Sequence, residues 1–267
     1  MNRILITGAN SYIGTSFEKY MEDKEGYEID TLDMRNQNWV DHDFSKYDVV
    51  FHVAGIAHIK ETKENKCLYY EINRDLAVQV ANKAKSEKVK QFIFMSSMSI
   101  YGLDSFDGLI NLETEPNPKT NYGKSKFEAE QLLSEIEDKQ FGLSIIRAPM
   151  VYGHNSPGNL GRLFRVVRKV HIFPKFNNQR STIAVEKLSI GIKDIIDRNK
   201  RGVFLLQNEE YMCTYQTVRE QMEKEKIKVL YTSAFNPLIR FFTKKIILLK
   251  KTFGDLKFEN EQIKDQS

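Results

Sequence analysis

The chain has 267 residues, enough for one large domain or two closely packed lobes, and its 41% hydrophobic and 28% charged content excludes disorder as the default state. A net charge of +4, with acids and bases interleaved along the chain, gives no strongly basic face for nucleic acid. Two distant cysteines, Cys67 and Cys213, and five histidines without an HExxH pattern argue against a disulfide framework, a zinc knuckle or a metal hydrolase, so no metal is expected.

The apolar run at the start is too short for a signal peptide, and no segment is apolar for long enough to span a bilayer; a cytoplasmic protein is expected. Ile4 to Thr7 predicts a buried strand, Ser11 to Glu22 a helix and Tyr27 to Leu32 a second strand. Between the first two, Gly8, Ser11 and Gly14 hold the three positions of a GxxGxxG turn, with Asn10, Tyr12 and Ile13 filling the loop. Such a turn brings backbone N–H groups and a helix N-terminus against a pyrophosphate. The spacing alone is a weak signal, since an ordinary strand-to-helix turn carries it too. Ser11 departs from glycine at the middle position; its Cβ must be accommodated, while its hydroxyl can donate to phosphate. Asp33, about twenty residues beyond the turn, suits an adenosine ribose and hence NAD. Arg35 suits the 2′-phosphate of NADP. Both also suit a solvated loop, and the choice between NAD and NADP stays open.

Asp48 to Val53 predicts a third strand, followed by Ala54 and Gly55, small residues against which a flat cofactor can lie, and by His58, which either lines a sugar pocket or packs in its loop. A helix is expected over about 65–86, with Asn73 as a polar support for the site. Gln91 to Met95, Tyr122 to Ile136 and Leu143 to Ile146 continue the alternation as strand, helix and strand. The expected fold is therefore α/β, a doubly wound parallel sheet of Rossmann type, with ligands beyond the carboxyl ends of the strands. Residues 1–150 form its dinucleotide-binding domain. Beyond Pro149 the alternation degrades into helices such as Gly158 to Val170 and Tyr215 to Glu225. Residues 151–267 are read as a smaller substrate lobe, with a return to the first domain around 180–206.

Tyr122 and Lys126 stand four residues apart on one helix face. A phenol near pKa 10 exchanges protons poorly at neutral pH, and a neighbouring ammonium is expected to lower that value. The lysine can also reach the hydroxyls of a nicotinamide ribose. An exposed Tyr–Lys pair is commonplace, but Ser97, at the end of the strand from Gln91, adds a hydroxyl to the same place. Glycine turn, Asp33, Ser97 and YxxxK in this order point to hydride chemistry at an oxygen held between Ser97 and Tyr122.

With these motifs the chain resembles an extended short-chain dehydrogenase/reductase of the nucleotide-sugar epimerase/dehydratase/reductase group, over nearly its whole length. Within that group it is most similar to the capsule-biosynthesis reductases of UDP-4-keto-6-deoxy-N-acetylhexosamines, on the stretches Phe92 to Tyr101, Asn121 to Lys126, Ser156 to Asn159 and Asn177 to Ser181. The resemblance implies Ser97, Tyr122 and Lys126 as catalytic residues, Asn159 and Arg180 as ligands of the sugar-nucleotide diphosphate, and a homodimer. The group's glycine-tryptophan segment near the end is absent. A 4-ketoreductase is the expected activity; a UDP-sugar 4-epimerase would use the same three side chains, and a non-catalytic dinucleotide sensor would not need them.

Phe235 to Phe253 mixes apolar residues with Arg240, Lys244, Lys245, Lys250 and Lys251. A basic amphipathic stretch can lie on an anionic membrane. The plainer account, favoured from sequence, packs these apolar residues inside the second lobe or a subunit interface.

Overall fold

Runs such as Val49-Val50-Phe51-His52 carry no alternation because both of their faces are covered, as in a parallel sheet flanked by helices. The computed structural model describes residues 1–259 except His58, Lys60, Lys63 and Lys244, with the side chain of Leu248 also left aside. In chain order the elements begin β1 (Asn2–Thr7), α1 (Tyr12–Met21), β2 (Tyr27–Leu32), β3 (Val49–His52), α2 (Lys66–Tyr70), α3 (Leu76–Ser86) and β4 (Gln91–Ser97). They continue with β5 (Leu109–Ile110), α4 (Asn121–Ile136), β6 (Gly142–Ala148), β7 (Met150–Tyr152), α5 (Gly158–Val170), β8 (Ile172–Pro174), β9 (Thr182–Ala184) and α6 (Val185–Asp197). The last are β10 (Gly202–Phe204), α7 (Thr214–Lys224), β11 (Leu230–Thr232), α8 (Asn236–Thr243), α9 (Ile247–Phe253) and β12 (Lys257–Phe258).

The chain divides into two units. The first comprises Met1–Gly102, Glu115–Ala148 and Val185–Leu206. Its sheet runs β2-β1-β3-β4-β6-β10, with every pairing parallel. The fold is a Rossmann-type α/β sheet. β2 and β3 pair with opposite sides of β1, so the sheet changes its direction of growth there; ligand crevices form beyond the carboxyl ends at such a point. Leu5, Val50, Phe92 and Leu143 occupy one face of successive strands and pack with Ala77, Val80, Ala81, Ala84, Ala129 and Leu133. The small residues of α3 let the helix sit close to the sheet.

The second unit comprises Leu103–Thr114, Pro149–Ala184 and Gln207–Ser267. Sequence patterning draws one boundary at 150 and a return over 180–206; the units instead exchange chain at 102, 114, 148, 184 and 206. The early excursion is held by β5, a strand of two residues that pairs in parallel with β12. Three further short parallel pairings or bridges, β7 with β9, β8 with β11 and Arg180 with Leu256, tie the unit together. Its core gathers Tyr152, Phe164, Val167, Phe173, Val218 and Met222. From Phe235 to Phe253, Ile239 and Phe253 are buried in this core with Leu249 packed against it, whereas Phe235, Leu238, Phe241, Phe242, Ile246 and Ile247 are exposed.

Candidate active site

The turn after β1 is built for close approach. Gly8 has φ +121°, and a Cβ there would meet the Ala54 nitrogen at 2.7 Å. The strand ends are sewn together around it: the N–H groups of Gly8 and Ala9 donate to the Leu32 carbonyl, and those of Val53 and Ala54 donate to the Thr7 carbonyl. Ser11 is the N-cap of α1, its hydroxyl accepting from the Gly14 N–H at 3.2 Å. That explains serine at the middle position, since capping satisfies one of the four free donors of the helix start. Tyr12 and Ile13 open the first turn, and Asn10 stands in the left-handed region at φ 64°. A bare glycine, a helix N-terminus and a hydroxyl with a proton to give fit a pyrophosphate. Gly8→Ala is expected to weaken dinucleotide binding by at least about tenfold, through strain at positive φ and collision with Ala54; titration of cofactor fluorescence checks it.

At the end of β2 the two candidate cofactor selectors bind each other. Arg35 donates from Nε to both Asp33 carboxylate oxygens, at 2.9 and 3.0 Å, and its guanidinium holds that carboxyl down at about 2. Asp33 presents an acceptor for ribose hydroxyls and Arg35 a cation for a 2′-phosphate, side by side at one strand end.

The segment after β3 is pinned from beneath by Asn73. This buried amide accepts from the Ile56 N–H at 2.8 Å and donates to the Ile56 carbonyl at 3.0 Å and to Ser125 of α4 at 3.2 Å. Asn73 lies in a π-helical turn, Glu71–Asp75, between α2 and α3, a widening of the helix that recurs at functional sites. Ala54 and Gly55 therefore form a fixed, nearly bare wall. A Cβ on Gly55 would reach Asn73 Oδ1 at 2.9 Å and Lys126 Nζ at 3.5 Å.

Ser97, at the carboxyl end of β4, turns its hydroxyl toward the Tyr122 phenol. Its Oγ also accepts from the Ser99 N–H at 3.1 Å and meets the Ser99 hydroxyl at 3.0 Å, so its rotamer is fixed. Tyr122 opens α4, where Thr120 caps Gly123, and the Glu61 carboxylate accepts from the backbone N–H groups of Asn121 and Tyr122. Lys126, one turn on, is buried; its Nζ donates to the Met95 carbonyl at 2.8 Å and lies 4.4 Å from the centre of the Phe94 ring. Glycine at 123 lets α4 lie against the Ser99 carbonyl, 2.7 Å from where a Cβ would stand.

The electrostatics differ from the sequence expectation of a lowered phenol. Burial raises Tyr122 above its ordinary value, with the Ser97 hydroxyl opposing and Tyr69 adding to the rise. Burial pushes Lys126 down to about 7, opposed by the Glu130 carboxylate. Both groups pay for desolvation, so each is driven toward its neutral form. Tyr122 is thus a protonated donor at neutral pH, and Lys126 titrates near it.

Sequence reasoning passed over His52, whose Nδ1 pairs with the Thr7 hydroxyl at 2.8 Å between the stacked rings of Phe92 and Phe94. Burial, then the charge of Lys126, takes this histidine down to about 3, so it is neutral under Lys126. It also passed over Glu130 and Arg147, a buried pair at 2.7 Å in which Glu130 accepts from the Ser96 hydroxyl and Arg147 donates to the Tyr101 hydroxyl at 2.9 Å. The YxxxKxxxE spacing was the available signal for Glu130.

In the second unit, Asn159 is exposed on the first turn of α5. Arg180 is 5% exposed, its backbone bridged to Met212 and Leu256. Its Nη1 donates to the carbonyls of Gly254, at 2.6 Å, and Asp104, at 3.4 Å, while Nε is buried with no acceptor among the described residues. Burial lowers this guanidinium to about 10, opposed by Asp104 and Asp255. His58 lies outside the described residues. Among the described residues no group of three metal-ligating side chains converges.

Residues 4–184 match the NAD dependent epimerase/dehydratase family. The chain belongs to that family. It is 31% identical to the UDP-glucose 4-epimerase of Vibrio cholerae over 243 residues, 81% of this chain and 74% of the relative. It is 28% identical to the N-acetyl-α-D-glucosaminyl-diphospho-ditrans,octacis-undecaprenol 4-epimerase of Escherichia coli O157:H7 over 183 residues, 62% of this chain and 54% of that enzyme. The fold is that of the dTDP-4-dehydrorhamnose reductase of Bacillus anthracis, solved in complex with NADP, with a TM-score of 0.72 at 18% identity over 100% of this chain and 94% of the other. The chain is thus an NAD(P)-dependent enzyme of the epimerase/dehydratase family, similar to nucleotide-sugar epimerases. A bound dinucleotide would rest on the Gly8–Gly14 turn and the Ala54–Gly55 wall, and it supplies reversible hydride exchange.

Proposed function

We propose that the protein is a C4 ketoreductase, reducing a UDP-linked 4-keto-6-deoxy-N-acetylhexosamine with NADPH or NADH, in the supply of surface polysaccharide precursors in the cytoplasm. The observation that carries this reading is the Ser97–Tyr122 hydroxyl pair, with the phenol kept protonated by burial. Reduction requires a proton donor at the C4 oxygen from the outset. In this reading Ser97, its Oγ fixed by Ser99, orients the oxygen; Tyr122 gives it the proton; the Lys126 ammonium would hold the nicotinamide ribose and stabilise the phenolate that forms until solvent returns its proton. Arg180, whose buried Nε lacks an acceptor among the described residues, suits the diphosphate, since a desolvated guanidinium binds phosphate through directed, charge-assisted bonds. Asn159 is its proposed companion. Binding energy from the nucleotide, remote from C4, positions the reacting carbon. The working unit is proposed to be a homodimer.

The second reading is a UDP-hexose 4-epimerase, favoured by the Vibrio cholerae relative. There Tyr122 would first accept the C4 hydroxyl proton and later return it. Two assays separate them: the 4-keto sugar is mixed with reduced dinucleotide and absorbance loss is followed with product stereochemistry, and UDP-hexoses are incubated with the enzyme and its oxidised dinucleotide. One equivalent of reduced cofactor consumed per sugar is expected. Interconversion of UDP-hexoses with no net cofactor oxidation would replace the reductase by the epimerase.

A further inference from the structure

The helical hairpin of α8 and α9 has two apolar faces, and the core uses only one. Ile239, Leu249 and Phe253 pack into the second unit. On the other side of α8, Leu238, Phe241 and Phe242 recur at i, i+3 and i+4 and so share a face, with Leu238 and Phe241 each 59% exposed. Phe235 precedes them, and Ile246 and Ile247, the latter 65% exposed, continue the apolar surface into the start of α9. The Phe241 and Phe242 rings meet edge to face, 5.1 Å between centroids, so the tip is a formed surface and not a scatter of side chains.

Charge identifies what fits it. Between Phe235 and Phe253 stand Arg240, Lys244, Lys245, Lys250 and Lys251, and no acidic residue. Lys245 Nζ sits 4.6 Å from the Phe241 ring centre, at the border of the apolar face. Lys251 faces Asp104 at 3.4 Å. Protein interfaces favour aromatic residues but deplete lysine. Exposed phenylalanine, leucine and isoleucine edged by lysine and arginine are what an interfacial helix presents to an anionic bilayer. Among the described residues no helix is long and apolar enough to cross one.

We propose that the α8–α9 hairpin is a peripheral docking element for anionic membrane surfaces, with Leu238, Phe241, Phe242, Ile246 and Ile247 entering the headgroup boundary and Arg240, Lys245 and Lys250 meeting lipid phosphates. The apolar face supplies depth, and each cation near the surface strengthens partitioning roughly fivefold.

The test is sedimentation of the full chain with phosphatidylcholine vesicles, with and without phosphatidylglycerol. The protein is expected to pellet with the anionic vesicles alone and to be released by salt. The double variant Leu238→Glu/Phe241→Glu changes exposed residues away from the hydride site; it should keep cofactor binding and melting temperature while losing about tenfold or more in partitioning. Absence of pelleting with anionic vesicles overturns the proposal, as does unchanged pelleting of the variant. Sedimentation velocity without lipid distinguishes the rival occupant: an oligomer of the native chain that the same double variant dissociates assigns the face to a second copy and overturns membrane docking.

Discussion

Tyr122→Phe is expected to lower turnover of the keto sugar by about 10³-fold while leaving dinucleotide affinity within about twofold, because the phenol supplies a proton in the reaction and contacts little else. The variant keeps the ring at the start of α4 and removes the hydroxyl that faces Ser97. Single-turnover kinetics, with cofactor binding followed separately, measures both quantities; retention of more than about a tenth of the native rate would remove Tyr122 from the role of donor. The pH profile carries a second signature. Tyr122 is raised by burial, so it stays protonated through the neutral range and sets no limb there. Lys126, pushed down to about 7, loses its charge as pH rises through that value. In the reductive direction turnover should be level below pH 7 and decline above it. A limb of opposite sign, with activity rising through neutrality, would show that the neutral amine and not the ammonium serves the phenol.

How far such chemistry is legible in the sequence depends on the range of the interactions involved. β3 and β4 are visible because their apolar runs are buried on both faces, and α4 because YxxxK lies on an amphipathic turn. Ser97 and Tyr122 are brought together by β4 and α4, which pack on one another once the excursion over 103–114 returns, and the motif order Ser97 then YxxxK stands in for that geometry. The electrostatics were not visible, because spacing says that Tyr122 and Lys126 share a face but not that Lys126 is buried with its Nζ donating to the Met95 carbonyl. Burial reverses the expected shift of the phenol. The excursion over 103–114 was equally hidden: β5 has two residues, too few for any period, and its partner β12 begins at Lys257. Arg180 was readable as a residue type, whereas its burial comes from bridges to Met212 and Leu256, far along the chain. The packing expected of the basic stretch is met by Ile239, Leu249 and Phe253; the second apolar face of α8 is visible only when Ile239 is seen to take the inner one.

The Glu130–Arg147 pair is where a single substitution should cost most in stability. Its side chains are 4% and 10% exposed, its nitrogen and oxygen are 2.7 Å apart, and Ser96 and Tyr101 add a hydrogen bond on either side. Removing one partner strands a buried charge, so Glu130→Ala and Arg147→Met are each expected to lower unfolding free energy by about 3–5 kcal/mol, whereas Glu130→Leu with Arg147→Met should recover most of it. Urea denaturation of the three proteins measures this, and the double variant retains the test if a single one fails to fold. Equal losses in the single and double variants would mean that shape, not charge, is what the site requires. The pair also reaches the chemistry. Glu130 stands one turn beyond Lys126 and is the charge that opposes its fall to about 7. In Glu130→Gln, similar in shape, the lysine pKa should fall further, so the descending limb of the pH profile moves to lower pH while KM for the cofactor is little changed. A purely structural role would lower the amount of folded enzyme and leave the position of that limb where it was, so the shift, rather than the loss of activity, identifies Glu130 as the residue that keeps Lys126 charged.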